Sequence, residues 1–205
     1  MAKRLFDMVF SLIGIVVLLP FGALLALVIK LTSKGPVFYR GTRVGLHGHP
    51  FRIFKFRTMI VDAENLGASS THEADSRITS AGSFMRKLKL DELPQLINIF
   101  LGDMSLVGPR PEVQRFVDLY TDEERAILTV RPGITDWASI RFHNEGEIIA
   151  SSGIADADEA YLKLIRPEKL RLQLKYVKEK TLLVDVKLIL DTISTLLRTR
   201  TPVKL

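Results

Sequence analysis

A long apolar segment near the N-terminus constrains this chain more than any other feature. No charged residue occurs from Met8 to Ile29, although 25% of the 205 residues are charged. As one straight helix this segment would be about 33 Å long, enough to cross the ~30 Å hydrocarbon core of a bilayer. The segment therefore predicts that the chain is attached to a membrane.

Pro20 divides this apolar segment and leaves two paths open. Proline removes a helical hydrogen bond, and the arms on either side, about 18 and 14 Å long, are each too short to cross a bilayer. Basic residues flank both ends and favour the cytoplasmic side for both; they are Lys3, Arg4, Lys30, Lys34, Arg40 and Arg43. A re-entrant helix hairpin broken at Pro20 satisfies both observations. A kinked spanning helix is equally supported by these residues, and a signal peptide is disfavoured because no small-residue cleavage site follows.

The rest of the chain predicts an α+β fold that is mostly helical. Glycines at positions 41, 45 and 48 separate the segment 37–39 from 51–59, a pattern typical of a small β-hairpin. The C-terminal third carries two apolar stripes at helical spacing. The second stripe, over 182–197, predicts an amphipathic helix that packs on the core or lies at the membrane interface. We therefore predict a membrane segment over 1–34 and a separate domain over 35–205.

Composition excludes several kinds of site. The chain has no cysteine, which removes disulfides, thiolate nucleophiles and cysteine-ligated metals. Its formal net charge of +6 favours anionic partners such as nucleic acid, acidic lipid headgroups or phosphorylated substrates. The apolar segment makes nucleic acid unattractive, and we predict no nucleic-acid partner. His47 and His49 lie in a glycine-rich turn without a third ligand, so we interpret them as surface residues.

Two adjacent carboxylates, Asp91 and Glu92, precede Pro94. Proline is tolerated in the first turn of a helix, so a helix can begin at Asp91. The positive end of the helix dipole would favour ionised carboxylates and attract phosphate, and Arg86 and Lys89 add positive charge. Ionised carboxylates bind Mg²⁺, and one can act as a nucleophile in phosphoryl transfer. An ordinary helix cap is the simpler interpretation of this dipeptide taken alone.

Two arginines lie beside prolines in short loops. Arg110 stands between Pro109 and Pro111, and Arg131 precedes Pro132. Proline fixes the backbone on either side, so each loop presents a guanidinium whose planar fork matches a phosphate. Proline-rich turns are also common as plain connectors. The two loops together make a diphosphate substrate more plausible.

Five motifs in order carry a family resemblance: KRLFD, GPVFYRGTRVG, FKFRTM, KLDELPQLINIFLGDMSLVGPRPE and VRPGIT. They run from Lys3 to Thr135, and they resemble the bacterial sugar transferase family, the monotopic polyprenyl-phosphate phosphoglycosyl transferases. The resemblance implies transfer of a phosphosugar from a UDP-sugar to a polyprenyl phosphate such as undecaprenyl phosphate, with release of UMP. This reaction initiates glycoconjugate or exopolysaccharide biosynthesis at the cytoplasmic face of the bacterial inner membrane. The family also implies the re-entrant path with its break at Pro20.

The resemblance also implies roles for individual residues. Asp91 would be the nucleophile that forms a covalent aspartyl-phosphosugar, and Asp91 with Glu92 would bind Mg²⁺. The expected phosphate-binding residues are Arg86 and Arg110, with Lys55, Arg57 and Arg131 as weaker candidates. Adjacent residues of a regular helix point about 100° apart, so the two carboxylates converge only where the helix start is irregular. We predict such an irregular start.

The chain departs from the family pattern at two places. Leu19 precedes Pro20 where serine is usual in the family. Asp136-Trp137 follows the PGIT motif, so the family's sugar-binding residues are not carried over to this region. No further membrane helix precedes the motifs, so we expect the minimal form of the family. The expected partners are the UDP-sugar, the polyprenyl phosphate and membrane lipids; a homodimer is compatible but not specified. Two other functions fit the residues: a non-catalytic module that binds acidic lipids, and a metal-dependent nucleotide-sugar hydrolase.

Overall fold

The computed structural model describes residues 1–66 and 75–198, which are mostly helical. The helices are α1 (Ala2–Thr32), α2 (Ser80–Lys87), α3 (Gln95–Leu101), α4 (Gln114–Val117), α5 (Trp137–Arg141), α6 (Glu145–Ser151), α7 (Ala157–Leu164), α8 (Arg166–Glu179) and α9 (Leu182–Arg198). The strands are β1 (Phe38–Tyr39), β2 (Thr42–Val44), β3 (Pro50–Arg52), β4 (Lys55–Phe56), β5 (Ser105–Val107) and β6 (Gly133–Thr135). The predicted mostly helical fold with a few small strands is confirmed.

The apolar N-terminal segment forms one helix. α1 has 31 residues, which corresponds to about 46 Å if straight, and Pro20 lies inside it. Within the described ranges it is the one helix long and apolar enough, by length and composition, to cross a membrane. Two separate helical arms were predicted, whereas the helix here continues through the proline. The re-entrant path and the division at residue 34 stay predictions.

Polar contacts bind the first turns of α1 to the rest of the protein. Lys3 Nζ lies 2.6 Å from Asp185 Oδ2 on α9. The buried Asp7 carboxylate accepts hydrogen bonds from the Ser105 hydroxyl at 3.1 Å and from the Leu106 backbone N–H at 3.0 Å, both on β5. The start of α1 is therefore fixed to β5 and α9 by charged and polar groups of the KRLFD motif.

Apolar contacts bind the other end of α1. Leu25 and Ile29 are buried in a cluster with Phe56 of β4 and Met85 of α2. Midway along the helix, Gly14 lies so close to Leu96 of α3 that an added Cβ would stand 3.0 Å from its side chain. α1 therefore contacts the same domain near both of its ends and in its middle.

Much of α1 is nevertheless exposed and apolar. The exposed large side chains of this helix include Leu5, Val9, Phe10, Leu12, Ile13, Val16, Val17, Leu19, Leu24, Leu27 and Leu31. Soluble monomers rarely expose a contiguous apolar patch of this extent, because the hydrophobic effect opposes it. The exposed face of α1 therefore fits an apolar environment such as a bilayer.

The predicted β-hairpin is present as two short antiparallel ladders. Phe38 on β1 stands opposite Phe56 on β4, and Arg43 on β2 stands opposite Phe51 on β3. The stacked rings of Phe38 and Phe56 lie 5.5 Å apart and help to hold the outer pair together. The hairpin places Lys55 of β4 next to the turn that carries the two adjacent carboxylates.

Strands β5 and β6 form a parallel pair that positions the proline loop of Arg110. Ser105 pairs with Gly133, and Val107 pairs with Thr135. The backbones then approach so closely that a Cβ on Gly133 would lie 2.1 Å from the Gly108 nitrogen, so no other residue type fits there. Because both strands run in the same direction, the segments that follow them leave from one edge of the pair. Arg110 follows β5 at that edge.

The C-terminal helices complete the core behind this pair. The buried Tyr176 hydroxyl of α8 donates to Asp185 Oδ1 at 2.7 Å, and Leu188 of α9 is fully buried. The opposite face of α9 exposes Leu183, Leu190, Ile193 and Leu197. The predicted amphipathic helix is therefore confirmed as a helix with one buried and one exposed apolar face. Its position at a membrane interface stays a prediction.

Candidate active site

The adjacent carboxylates lie in an irregular turn between α2 and α3. Lys89 has a left-handed backbone with φ 56°, and a single 3₁₀ turn over Leu90–Glu92 follows it. Pro94 then caps α3. The predicted irregular helix start is confirmed. Successive residues of a 3₁₀ turn point about 120° apart, so this turn gives Asp91 and Glu92 distinct surroundings within one small region.

Asp91 carries a buried carboxylate in this turn. Its residue is 7% exposed, and it accepts no hydrogen bond from the part of the chain that the structure describes. Burial raises the pKa of this carboxyl above its ordinary value, and Glu92 adds to the rise. The positive charges of Lys55, Arg86 and Lys89 offset part of it. A carboxylate in this state is poorly solvated and therefore suited to attack an electrophile.

Both carboxylate oxygens of Glu92 accept hydrogen bonds from cations, in contrast to those of Asp91. Arg110 Nη1 donates to Oε2 at 2.9 Å, Arg110 Nη2 donates to Oε1, and Lys55 Nζ donates to Oε1 at 2.9 Å. Although burial opposes it, the two cations hold the pKa of Glu92 well below its usual range. The bidentate pairing with a guanidinium fixes the orientation of Arg110 as well as its charge. Glu92 therefore holds two cations beside Asp91.

The two cations respond differently to this arrangement. Burial lowers the pKa of Lys55 despite the neighbouring carboxylates, whereas the charge of Glu92 raises the pKa of Arg110 further. Gln173 of α8 donates to the Arg110 carbonyl at 3.4 Å and supports the loop from behind. Lys55, Arg86 and Arg110, three of the predicted phosphate-binding residues, therefore lie around the carboxylate pair.

Arg57 and Arg131, the other two predicted phosphate-binding residues, make backbone contacts instead. The Arg57 guanidinium is buried and donates to the carbonyls of Ser33 and Lys34 just after α1. Arg131 Nε donates to the Gly102 carbonyl at 2.8 Å, at the end of α3. Cations near the C-terminus of a helix satisfy carbonyls that lack partners there. In this structure both arginines anchor helix ends, and neither is brought to Asp91 by a described contact.

A second buried ion pair supports the Arg110 loop and was not anticipated from the sequence. Lys169 Nζ of α8 lies 3.1 Å from Glu112 Oε1 and 3.0 Å from the Tyr161 hydroxyl, which also donates to Glu112. Glu112 stands two residues after Arg110. Despite burial, the charge of Glu112 raises the pKa of Lys169. This pair fixes the loop that presents the guanidinium to Glu92.

Replacing Lys169 with methionine is expected to destabilise the protein by about 3 kcal/mol or more. Methionine fills a volume similar to that of lysine but leaves the Glu112 carboxylate buried without its cation. Thermal unfolding in nanodiscs measures the loss. Lys178→Met, on an exposed part of the same helix, is the matched control and should unfold near the wild-type temperature. Adding Glu112→Gln should recover part of the loss, and no recovery would contradict the buried pair.

Asp91→Asn is expected to raise the thermal stability of the protein at neutral pH. The folded state raises the pKa of Asp91 above its ordinary value of 3.8. Between 3.8 and the raised pKa the wild type therefore loses stability as the pH rises, because Asp91 must ionise while it is buried. Asparagine does not titrate. The melting temperature of the variant minus that of the wild type, measured without divalent metal, should therefore be larger at pH 7 than at pH 4. An equal difference at both pH values would contradict the raised pKa.

Asp136, at the departure from the family pattern, has a structural role. Its buried carboxylate accepts the Ser139 backbone N–H at 2.6 Å and caps α5. Aspartate is a preferred N-cap because its oxygen satisfies a free N–H in the first turn. Its second oxygen is buried without a partner in the described chain, and burial raises the pKa of the carboxyl. Asp136 therefore fixes how α5 begins after β6.

Asp91 is the group that fits a metal at this site. Among the described residues there is no cluster of three or more His, Asp or Glu side chains able to hold a metal ion. Mg²⁺ commonly binds through one or two carboxylates together with substrate phosphates and water. The Asp91 carboxylate has free oxygens for this, whereas those of Glu92 are occupied by cations. The donor set fits a metal that arrives with a phosphorylated substrate.

A family model now extends the comparison beyond the quoted motifs. The model described as bacterial sugar transferase matches residues 1–199. The chain belongs to this family. The match spans α1, the hairpin, the carboxylate turn and the C-terminal helices, so the site described above lies within the family's shared region.

Curated relatives are similar over most of this chain. A UDP-N-acetylgalactosamine-undecaprenyl-phosphate N-acetylgalactosaminephosphotransferase of Aeromonas hydrophila is 38% identical over 198 residues, 95% of this chain and 43% of the relative. An undecaprenyl-phosphate glucose phosphotransferase of Komagataeibacter xylinus is 36% identical over 198 residues, 93% of this chain and 35% of the relative. A UDP-glucose:undecaprenyl-phosphate glucose-1-phosphate transferase of Caulobacter vibrioides is 36% identical over 200 residues, 96% and 70% respectively. The chain spans less than half the length of the first two.

Proposed function

We propose that this chain transfers a phosphosugar from a UDP-sugar to a polyprenyl phosphate, with undecaprenyl phosphate as the expected acceptor, and releases UMP. The observation that carries the proposal is the buried Asp91 carboxylate, which accepts no hydrogen bond from the described residues but lies among cations held by Glu92. The relatives whose names describe this reaction support it. The reaction starts the assembly of a bacterial glycoconjugate or exopolysaccharide.

In the first step an oxygen of Asp91 attacks the phosphorus that bears the sugar. The bond between that phosphorus and the bridging oxygen of the diphosphate breaks, and UMP leaves with the bond's electron pair. The sugar phosphate is then joined to Asp91 as an acyl phosphate. A covalent step of this kind divides one difficult displacement into two, so the soluble donor and the lipid acceptor need not share the site.

In the second step the acceptor regenerates the carboxylate. A phosphate oxygen of the polyprenyl phosphate attacks the same phosphorus and breaks its bond to Asp91. The product is a polyprenyl diphosphosugar, and the Asp91 carboxylate is free again. No proton is consumed in either displacement when both phosphates are ionised.

The basic residues around Asp91 position the diphosphate and offset its charge. Arg110 uses two of its five N–H groups for Glu92 and has others to donate to phosphate. Arg86 and Lys55 contribute further positive charge next to the attacking oxygen. Positioning and electrostatic stabilisation supply most of the catalysis in phosphoryl transfer.

Mg²⁺ is the expected cofactor, held by Asp91 together with the donor phosphates. When bound, the ion would neutralise charge that develops on the leaving phosphate. Glu92 would not bind the ion itself, because its oxygens accept hydrogen bonds from Arg110 and Lys55. It would instead hold these two cations beside the ion. This assignment narrows the expectation that both carboxylates ligate the metal.

We also propose that α1 enters the membrane and returns to the same face. The start of α1 contacts the rest of the chain through Lys3 and Asp7, and its second half does so through Leu25 and Ile29. A domain that lies outside the bilayer therefore keeps both ends of α1 on its own side. The exposed apolar residues between them need an apolar environment. Basic flanks at both ends favour the cytoplasmic face of the bacterial inner membrane. Pro20 is the expected place for the bend.

The test is UMP release by the purified protein in lipid nanodiscs, with Mg²⁺ and a panel of UDP-sugars, with and without undecaprenyl phosphate. Sustained release that requires the lipid is the expected result, and the active donor identifies the sugar. Sustained release without lipid would indicate a nucleotide-sugar hydrolase instead. No release with any donor would favour a non-catalytic membrane module and contradict the proposal.

A further inference from the structure

An apolar groove of about 340 Å³ lies between the second half of α1 and helix α2. Phe21, Leu24 and Val28 of α1 form one wall, Phe84 of α2 and Leu88 just after it form the other, and Leu90 also lines the groove. Several of these side chains are exposed, Phe84 among them. The groove therefore presents apolar surface that no described part of the chain covers.

This groove adjoins the carboxylate turn through one shared residue. Leu90 lines the groove and immediately precedes Asp91 in the 3₁₀ turn. α2 contributes Phe84 and Met85 to the groove, and the charge of its Arg86 acts on the Asp91 carboxyl. An elongated amphiphile could thus lie with its apolar part in the groove and its anionic end beside Arg86 and Asp91.

We propose that this groove holds the first isoprene units of the acceptor lipid and thereby directs its phosphate to Asp91. The inference rests on the proposed function and adds to it where the acceptor binds. A cavity of about 150 Å³ accepts a benzene ring, so a groove of about 340 Å³ accommodates roughly two five-carbon isoprene units.

The chemistry of the groove selects the acceptor over the donor. A UDP-sugar carries polar groups throughout, and burying them against apolar walls without hydrogen bonds is costly. The isoprenoid chain begins directly at the phosphate that must attack, so its first units lie beside the carboxylate turn whenever the phosphate does. One wall belongs to the predicted membrane helix, which lets the chain pass from the bilayer without crossing water.

The groove provides position more than affinity. An isoprenoid chain that leaves the bilayer for the groove moves from one apolar environment to another, so the hydrophobic effect contributes little. Packing against Leu24 and Phe84 instead keeps the phosphate near the reacting phosphorus. Filling the groove should therefore affect the acceptor step alone.

Leu24→Trp and Leu27→Trp provide a matched test. The two leucines are 55% and 54% exposed on the same helix, but only Leu24 lines the groove. In nanodiscs, Leu24→Trp is expected to raise the KM for undecaprenyl phosphate, as a mole fraction of lipid, by about tenfold. Leu27→Trp should leave it unchanged. Exchange of labelled UMP with the UDP-sugar, which needs no acceptor, should be equal in both variants and the wild type.

Two results would overturn the groove assignment. An unchanged acceptor KM in Leu24→Trp would show that the isoprenoid chain binds elsewhere, and equal increases in both variants would indicate a general effect on membrane binding. If Leu24→Trp misfolds and loses UMP exchange, Phe84→Ala replaces it in the test, because this variant removes an exposed side chain of the other wall. Phe84→Ala should then raise the KM for undecaprenyl phosphate while UMP exchange is unchanged. Failure of the proposed function is distinct, because the wild type itself would then show no lipid-dependent UMP release.

Discussion

Asp91→Asn is expected to lower UMP exchange and lipid-dependent UMP release by at least about 10³-fold. Asparagine has nearly the same shape, but its amide oxygen is a much weaker nucleophile than a carboxylate. Both half-reactions pass through the same Asp91 oxygen, so both should be lost together. Exchange of labelled UMP into the UDP-sugar measures the first half-reaction, and release with undecaprenyl phosphate measures the whole cycle.

Asp122→Asn is the matched control for this loss, because Asp122 is exposed and distant in sequence from the site. It should retain wild-type exchange. The higher melting temperature expected for Asp91→Asn separates lost chemistry from lost folding. Exchange by Asp91→Asn at a rate within tenfold of the wild type would mean that another group attacks the donor.

Glu92→Gln is expected to have the second largest effect. The variant keeps the shape of the side chain but removes the charge that binds Arg110 and Lys55. Breaking a buried pair in this way costs about 3 kcal/mol, at the lower end of the usual range because Arg110 is partly exposed. Displacement of two cations by about 1 Å is expected to lower the exchange rate roughly 10²-fold.

A thermal melt and a pair of kinetic constants check this second result. The kcat of the exchange reaction should fall more than the KM for the UDP-sugar rises, because the cations act on the reacting phosphates. Glu123→Gln removes an equivalent charge from an exposed position and should change neither the rate nor the melting temperature. An exchange rate in Glu92→Gln within twofold of the wild type would show that Glu92 does not position the cations.

The different states of Asp91 and Glu92 depend on three-dimensional contacts. Both are acidic and adjacent, with Asp91 buried and the Glu92 side chain 13% exposed, yet the fold raises the pKa of Asp91 and lowers that of Glu92. The difference arises because Arg110 and Lys55 donate hydrogen bonds to Glu92 alone. Pairs of titratable groups with pKa values driven apart are typical of sites that assign different roles to similar side chains.

Local sequence patterns predicted the elements that depend on near neighbours. The uncharged run from Met8 to Ile29 predicted α1, and the glycines between Tyr39 and Phe51 predicted the hairpin. The irregular turn at Asp91 was predicted from the family resemblance, which gives both neighbouring carboxylates a role at one site, together with the angle of about 100° between adjacent residues of a regular helix. Each of these features depends on backbone preferences within a few residues.

Partners distant in sequence were harder to predict. The family resemblance implied that Arg57 binds phosphate, yet its donors satisfy carbonyls at the end of α1. Arg131 similarly holds the end of α3. Glu112 and Lys169 are 57 residues apart, and neither local pattern indicates a buried pair. Which carbonyl or carboxylate a cation meets depends on how the elements pack, and composition does not encode that directly.

The intact mass of the protein after incubation with its UDP-sugar and Mg²⁺, without acceptor, shows whether Asp91 carries the phosphosugar between the two steps. A species heavier by one phosphosugar is expected in the wild type and should be absent in Asp91→Asn. Undecaprenyl phosphate should return that species to the unmodified mass as the lipid product forms. An unmodified wild-type protein that still turns over with acceptor would contradict a covalent intermediate on Asp91.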